Sequence, residues 1–265
     1  MTQTPERAGY DHIRVAVDGA VATVTMNRPT QRNALSLAHM RELVDAFEGL
    51  GADRSVRAVI LAGEGPAFCA GHDLKEMIGR DAAFYDEVFD VCVRLMSTIR
   101  SIPQPVVAAV HALATAAGCQ LAATCDLVVA ADTASFATPG VRIGLFCSTP
   151  MVALSRAVGQ KTAMRMLLTG EPLDAQGARA AGLVTDVVPA AELPSAARSL
   201  ADRIAEASGV VVGIGKEAFY RQAAMDTDAA YAYAKGVMTH NAGLADAQEG
   251  MTAFAQKRPP AWSDR

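Results

Sequence analysis

The chain has 265 residues, 51% of them hydrophobic, and a formal net charge of −4. That length buries a substantial core in one main domain plus an extension, while the acidic balance and the lack of any run of five basic residues remove the electrostatic basis for nucleic-acid binding. Five scattered cysteines (Cys69, Cys92, Cys119, Cys125, Cys147) with no C-x-x-C pair fit core thiols in a reducing compartment, and MTQTPERAGYDH lacks the apolar core of a secretory leader, so a soluble, cytoplasmic protein is expected.

In chain order, IRVAVDGAVATVTMNRP contains two alternating β-branched runs joined by Asp18-Gly19, a hairpin signal, and Pro29 ends it. After Ser36 as N-cap, Leu37, Met40, Leu43, Val44, Phe47 and Leu50 recur at helical spacing, and RAVILAG at 57–63 reads as a buried strand. GEGPAFCAGHDL reads as a glycine-punctuated loop, 81–100 as a helix, PVVAAV as a strand, 116–125 as a short helix and DLVVAA as a further strand. The apolar run 105–131 is interrupted by His111, Gln120 and Asp126 and makes a poor membrane span. Beyond the breaker-rich GLFCSTPMV the chain is mainly helical, with a last strand at 184–188 and helices through 190–206, 210–223 and 227–248. This alternation predicts an α/β core over 10–200 followed by a helical region over 201–265.

P-loop, Rossmann, zincin and nucleophile-elbow motifs are all absent from the sequence. Two junctions stand out, FCAGHDL at 68–74 and ATAAGCQL at 114–121, each following a predicted strand and opening a helix. Small residues let backbone approach a ligand, and a helix start aims unpaired N–H groups and its positive dipole end outward. Facing each other, the two would form an oxyanion hole; taken singly, each glycine could equally serve a tight turn.

NRPTQRNALS, GPAFCAGHDLKEM, ATAAGCQLAATCDLVVAA, SFATPGVRIGLF, GEPLDAQGARAAGLVTDVV and EGMTAFAQKRPPAW, in that order, resemble the crotonase, or enoyl-CoA hydratase/isomerase, superfamily from about residue 10 to the C-terminus. The resemblance implies a ClpP-like superhelix of β-β-α turns, a C-terminal helical region mediating a homotrimer or dimer of trimers, and acyl-CoA thioester substrates. By position, the oxyanion-hole amides would be those of His72 and Ala117. Ala70, Asp73 and Leu74 would line the CoA channel, Arg32 would touch the nucleotide, and Phe254 and Lys257 would reach a CoA, in some members a neighbouring subunit's. Lys257 reads equally as a solvated tail charge. The resemblance implies no metal or redox cofactor, since CoA arrives with the substrate.

Hydratases of the superfamily carry two glutamates that handle water and the α-carbon proton; the matching positions here are Gln120 and Gly140. Neither exchanges a proton near neutral pH. Three readings stay open. Glu87 or Asp86 on the 81–100 helix, or Cys147 and Ser148 in CSTP, could supply acid–base chemistry, although the carboxylates also read as solvated and Ser148 or Thr149 as a helix cap before Pro150. Decarboxylation of a malonyl-type acyl-CoA would need no glutamate; AGHDL resembles the loop of methylmalonyl-CoA decarboxylase, whose tyrosine falls where Cys147 stands. Acyl-CoA binding without turnover is the third. Restoring both glutamates, as Gln120→Glu with Gly140→Glu, is expected to raise hydration of a 2-enoyl-CoA.

Overall fold

The computed structural model describes residues 9–264, so most of the N-terminal stretch read above for a leader lies outside the described residues, as does Arg265. Ile13–Asp18 (β1) and Val21–Met26 (β2) form the antiparallel hairpin, with Gly19 at φ +61 in its turn. The Ser36 hydroxyl accepts from the His39 N–H at 3.2 Å and caps Leu37–Ala52 (α1), whose apolar stripe turns inward as its spacing predicts.

From Ala58 the chain repeats one pattern: a longer strand in a first sheet, a three-residue strand in a second, then helix. The first turn is Ala58–Gly63 (β3), Ala67–Cys69 (β4), Leu74–Met77 (α2) and Ala82–Ser101 (α3). Val106–Val110 (β5), Leu113–Thr115 (β6) and Ala117–Thr124 (α4) make the second, and Leu127–Ala131 (β7), Ser135–Ala137 (β8), Pro150–Ala157 (α5) and Gln160–Thr169 (α6) the third. Leu173–Asp174 (β9), Ala175–Ala180 (α7) and Asp186–Val188 (β10) return the chain to both sheets, and Leu193–Ala205 (α8), Gly209–Gln222 (α9), Thr227–Ala242 (α10) and Ala245–Gln256 (α11) complete it.

The first sheet runs β1-β2-β3-β5-β7-β10 and the second β4-β6-β8-β9; β3, β5, β7 and β10 are parallel, as are β4, β6 and β8. This is the expected β-β-α spiral. Its buried core lies between the sheets and α1, α3 and α4, while Leu193, Ala197 and Ala201 of α8 cover the opposite face against Ile60, Val107 and Val129. All five cysteines are free and buried, as core thiols should be.

The second sheet departs from the sequence reading, which saw only loop at 64–74; a strand of three residues is too short to display a period of two. The stretch 227–248 is two helices broken at Gly243-Leu244, and 190–206 opens with a 3-10 turn over Ala190–Glu192. Pro150 does start α5, but neither Ser148 nor Thr149 caps it: Thr149 makes no side-chain cap bond, and the Ser148 hydroxyl donates to the Phe146 carbonyl at 3.4 Å. No described helix is long and apolar enough to cross a membrane.

The C-terminal helices are fastened to the core by a buried charge. Lys216 of α9 donates to the carbonyls of Ile99 and Gln104 and pairs with Asp126, each at 2.8 Å, and the Tyr220 hydroxyl donates to the same carboxylate at 2.8 Å. Burial draws the Lys216 pKa down, opposed by Asp126. Removing one member leaves the other charge buried without compensation. Lys216→Met is therefore expected to lower stability by about 3–5 kcal/mol, measured by urea denaturation.

His39 is fully buried in α1, with Nδ1 3.2 Å from the Ala34 carbonyl and Nε2 without a partner. Burial pushes its pKa from 6.5 to about 4, against the Ala34 carbonyl and with the charges of Arg28 and His12 adding to the fall. The unfolded imidazole takes a proton that the folded one refuses, so stability is whole above pH 6.5 and is lost as pH falls toward about 4. His39→Gln should flatten the pH dependence of the unfolding free energy across that window, by up to about 1.4 kcal/mol per pH unit for the one proton removed, read from urea denaturation at a series of pH values.

Candidate active site

The first junction is built on a loop that precedes it in the chain, with Asn33 bonding residues 31–35 positions further on. Asn33, fully buried at φ 54, accepts from the Arg28 N–H at 2.9 Å and directs its Nδ2 at the carbonyls of Glu64, Ala67 and Phe68 within 3.1 Å. It thereby holds the 28–36 loop on β4. The two segments then pair like strands: the Ala70 N–H donates to the Arg32 carbonyl, Leu35 to Gly71, and Asp73 to Leu35, at 2.7–3.1 Å. Asp73 closes the arrangement by accepting from Arg28 at 3.1 Å and from the Lys75 N–H at the start of α2. Asn33 carries little signal in the sequence: an asparagine, tolerant of left-handed backbone, shortly after a proline.

The second junction turns on Ala116, a non-glycine residue at φ 51, ψ −118, whose N–H donates to the Ala137 carbonyl at 2.9 Å. Such backbone costs about 1–3 kcal/mol and persists only where the surroundings impose it. They do so through two glycines. A Cβ on Gly118 would lie 2.2 Å from the Cys69 carbonyl oxygen, and one on Gly71, at φ +86, would lie 2.9 Å from the Ala116 Cβ and 3.4 Å from the Ala117 nitrogen. The two junctions predicted from sequence are thus in contact. Among the described residues, the N–H groups of His72 and Ala117 donate to no acceptor.

Apart from the Arg28–Asp73 pair beside His72, the groups around this contact are uncharged. Gln120, only 4% exposed, reaches from α4 to α3, where its Oε1 lies 3.9 Å from the Cys92 Sγ. The His72 ring stands edge-on to Phe89, centroids 5.5 Å apart, one helical turn from Cys92. Burial pushes the His72 pKa down to about 4, with the nearby Leu35 carbonyl opposing, and pushes the thiols of Cys69, Cys92 and Cys119 up to about 12.

Gly140 lies in a 3-10 turn over Pro139–Ile143, and the chain folds back on it: the Leu145 N–H donates to its carbonyl at 3.0 Å. A Cβ there would meet the Leu145 carbonyl oxygen at 2.7 Å and the Cys147 Sγ at 2.9 Å. This corrects the expectation that a glutamate could simply be restored at 140, because Cys147 and its loop fill the space. Cys147 is buried, with its pKa raised by that burial, whereas Ser148 is exposed.

Other candidates sit apart. Glu87 is exposed and ion-paired with Arg41, and Asp86 is exposed beside it, because Val88, Cys92, Leu95 and Ile99 occupy the inward stripe of α3. Ala70, Asp73 and Leu74, by contrast, lie within the first junction, and Leu74 is 44% exposed. Arg32 is exposed at φ 52. Phe254 (87% exposed) and Lys257 lie at the end of α11, and no described hydrogen bond or ion pair links them to the junctions. No group of three or more His, Cys, Asp or Glu side chains able to hold a metal occurs among the described residues.

The family model described as enoyl-CoA hydratase/isomerase matches residues 16–265. The mitochondrial enoyl-CoA hydratase domain-containing protein 3 of Rattus norvegicus is 48% identical over 244 residues, covering 92% of this chain and 81% of the relative. A probable enoyl-CoA hydratase of Rhizobium meliloti is 35% identical over 257 residues, 97% of this chain and 99% of its own. The crystal structure of human enoyl Coenzyme A hydratase domain-containing protein 3 superposes with a TM-score of 0.93 at 45% identity, covering 95% of this chain and all of that one.

The glycine contacts give substitutions of opposite sign. Gly118→Ala and Gly140→Glu should each lower stability by about 1–3 kcal/mol or more, as overpacking does, read from urea denaturation. Gly49→Ala, in α1 with nothing within 4 Å, should raise stability by about 0.5–1 kcal/mol.

Proposed function

The chain belongs to the enoyl-CoA hydratase/isomerase family, and on that premise we propose that it binds an acyl-CoA thioester and stabilises the thioester enolate without hydrating it. The observation that carries this reading is the contact of Gly71 with Ala116 and Ala117 beside two N–H groups that have no acceptor among the described residues. The thioester oxygen accepts from the His72 and Ala117 amides, with the positive end of α4 behind the second. Each donor is worth about 2.7–4 kcal/mol as negative charge gathers on the oxygen.

Ala70, Asp73 and Leu74 flank the CoA, Arg32 meets its nucleotide, and Phe254 and Lys257 contribute from the C-terminal helices of the same or a neighbouring subunit in a homotrimer or dimer of trimers. Gln120 and Gly140 stand where the hydratase glutamates would be. Cys147, Ser148 and Glu87 are poor replacements: the thiol is buried and held protonated, the hydroxyl is turned to the Phe146 carbonyl, and the carboxylate is paired with Arg41.

One observation favours decarboxylation of a malonyl-type acyl-CoA as a second reading. The place of the second glutamate is filled by Cys147 and the Leu145 carbonyl, so the electron pair of the enolate would come from a breaking C–C bond, carbon dioxide would leave, the α-carbon would then take a proton from water, and no protein base would be required.

The test is a time course of the purified protein with crotonyl-CoA and, separately, methylmalonyl-CoA, products resolved by mass. Crotonyl-CoA should not gain the mass of water; if it does, the reading fails and a proton-handling group exists. Loss of carbon dioxide from methylmalonyl-CoA supports the second reading, and its rate should fall in a folded Ala117→Val variant, whose added bulk crowds the thioester oxygen away from the backbone N–H that valine keeps, by up to about the 10²–10³-fold that a lost oxyanion-hole interaction costs.

A further inference from the structure

Gln120 is 96% buried yet keeps one unspent polar group. Its Oε1 faces the Cys92 thiol at 3.9 Å, while its Nε2 has no hydrogen-bond partner among the described residues and is not among the fully buried, unpartnered atoms. The thiol is a weak donor with little acceptor strength, and burial keeps it protonated at neutral pH with a pKa of about 12. It therefore selects the orientation of the carboxamide that turns oxygen toward α3 and leaves Nε2 facing away from it. Side chains on a helix lean toward its N-terminus, so Gln120 leans over the first turn of α4, where Ala117 stands three residues earlier. The His72 ring is on the same stripe of α3, against Phe89, three residues before Cys92.

From this geometry we infer that Gln120 Nε2, oriented by Cys92, is a hydrogen-bond donor to the acyl group, so that the site selects acyl-CoA thioesters carrying an oxygen acceptor close to the thioester over plain hydrocarbon ones. The inference rests on the acyl-CoA reading above and adds its substrate class. A glutamate at this position would repel an acyl carboxylate and accept a proton; the amide does neither and offers two N–H bonds. A 3-oxo group and an α-carboxylate supply the same acceptor chemistry. Gln120 would touch the acyl group directly, and Cys92 is a positioning residue that acts through it.

The experiment is calorimetric binding of butyryl-CoA, acetoacetyl-CoA and malonyl-CoA to the full chain and to Gln120→Leu, Cys92→Ala and Cys92→Ser. In the wild type at least one oxygenated ester should bind about tenfold tighter than butyryl-CoA, the malonyl arm reporting a carboxylate and the acetoacetyl arm a keto oxygen. Gln120→Leu should collapse that ratio to about one, Cys92→Ala should lower it, and Cys92→Ser, which keeps a donor, should restore it. Equal affinity for all three esters, or a preference that survives Gln120→Leu, overturns the inference while leaving acyl-CoA binding intact. Failure of every ester to bind overturns the acyl-CoA reading and this inference with it.

Discussion

The candidate site depends on the approach of the first turn of α4 to the end of β4. Gly118 sits so close to Cys69 that a methyl group would fall 2.2 Å from its carbonyl oxygen, and nothing larger than hydrogen fits. That contact brings the amide-rich start of α4 against the loop leaving β4, and Gly71 then meets Ala116 and Ala117. The strained backbone of Ala116 follows, because its N–H is tied to Ala137 in the neighbouring strand of the second sheet while its successor must begin a helix packed on β4. Preorganised amides cost no reorganisation when charge develops, and this packing preorganises them.

The longer elements were legible because they are long enough to display a period. The α1 stripe from Leu37 to Leu50 and the hairpin at Asp18-Gly19 could be read directly. The second sheet could not, since β4, β6 and β8 have three residues each and owe their existence to the neighbours they pair with. The small residues at 71 and 118 marked both junctions, but their contact is a long-range fact that only the two sheets together impose. Asn33 and Cys92 carried no signal of their own kind: one looks like a turn residue, the other like a core thiol, and each matters through a partner more than 25 positions away. Glu87 shows the converse. Its helix was read correctly, but the inward stripe at Val88, Cys92, Leu95 and Ile99 puts it nearly a third of a turn away, in solvent.

Polar groups in this core serve attachment. Asn33 spends its amide on the Glu64 carbonyl of the β3–β4 connection and the Ala67 and Phe68 carbonyls of β4, and Lys216 spends its ammonium on two carbonyls and Asp126. Lys216 stands apart from the junctions, and the neutral amide of Asn33 braces the first of them from behind. Asn33 fixes the loop that pairs with His72, and Lys216 fixes the C-terminal helices to the α3–β5 corner, so the framework is rigid on both sides of the candidate site without lending it a charge.

That neutrality constrains the chemistry. The burial that lowers the His72 pKa to about 4 and raises Cys69, Cys92 and Cys119 to about 12 is one environment acting on two kinds of group, and in each case it removes the charged form at neutral pH. Surroundings hostile to a localised charge make fixed amide dipoles more effective, since little solvent screens them. Hydration asks for more than this: a proton must be taken from water and another delivered to the α-carbon, which needs two groups whose protonation changes during turnover. Gln120 cannot change protonation, Gly140 has no side chain, and the thiol filling the space beside it is held protonated. On the proposed reading, the reactions that remain are those in which the enolate's electron pair comes from a bond within the substrate, and the protein's part is to hold the oxygen on which that charge settles.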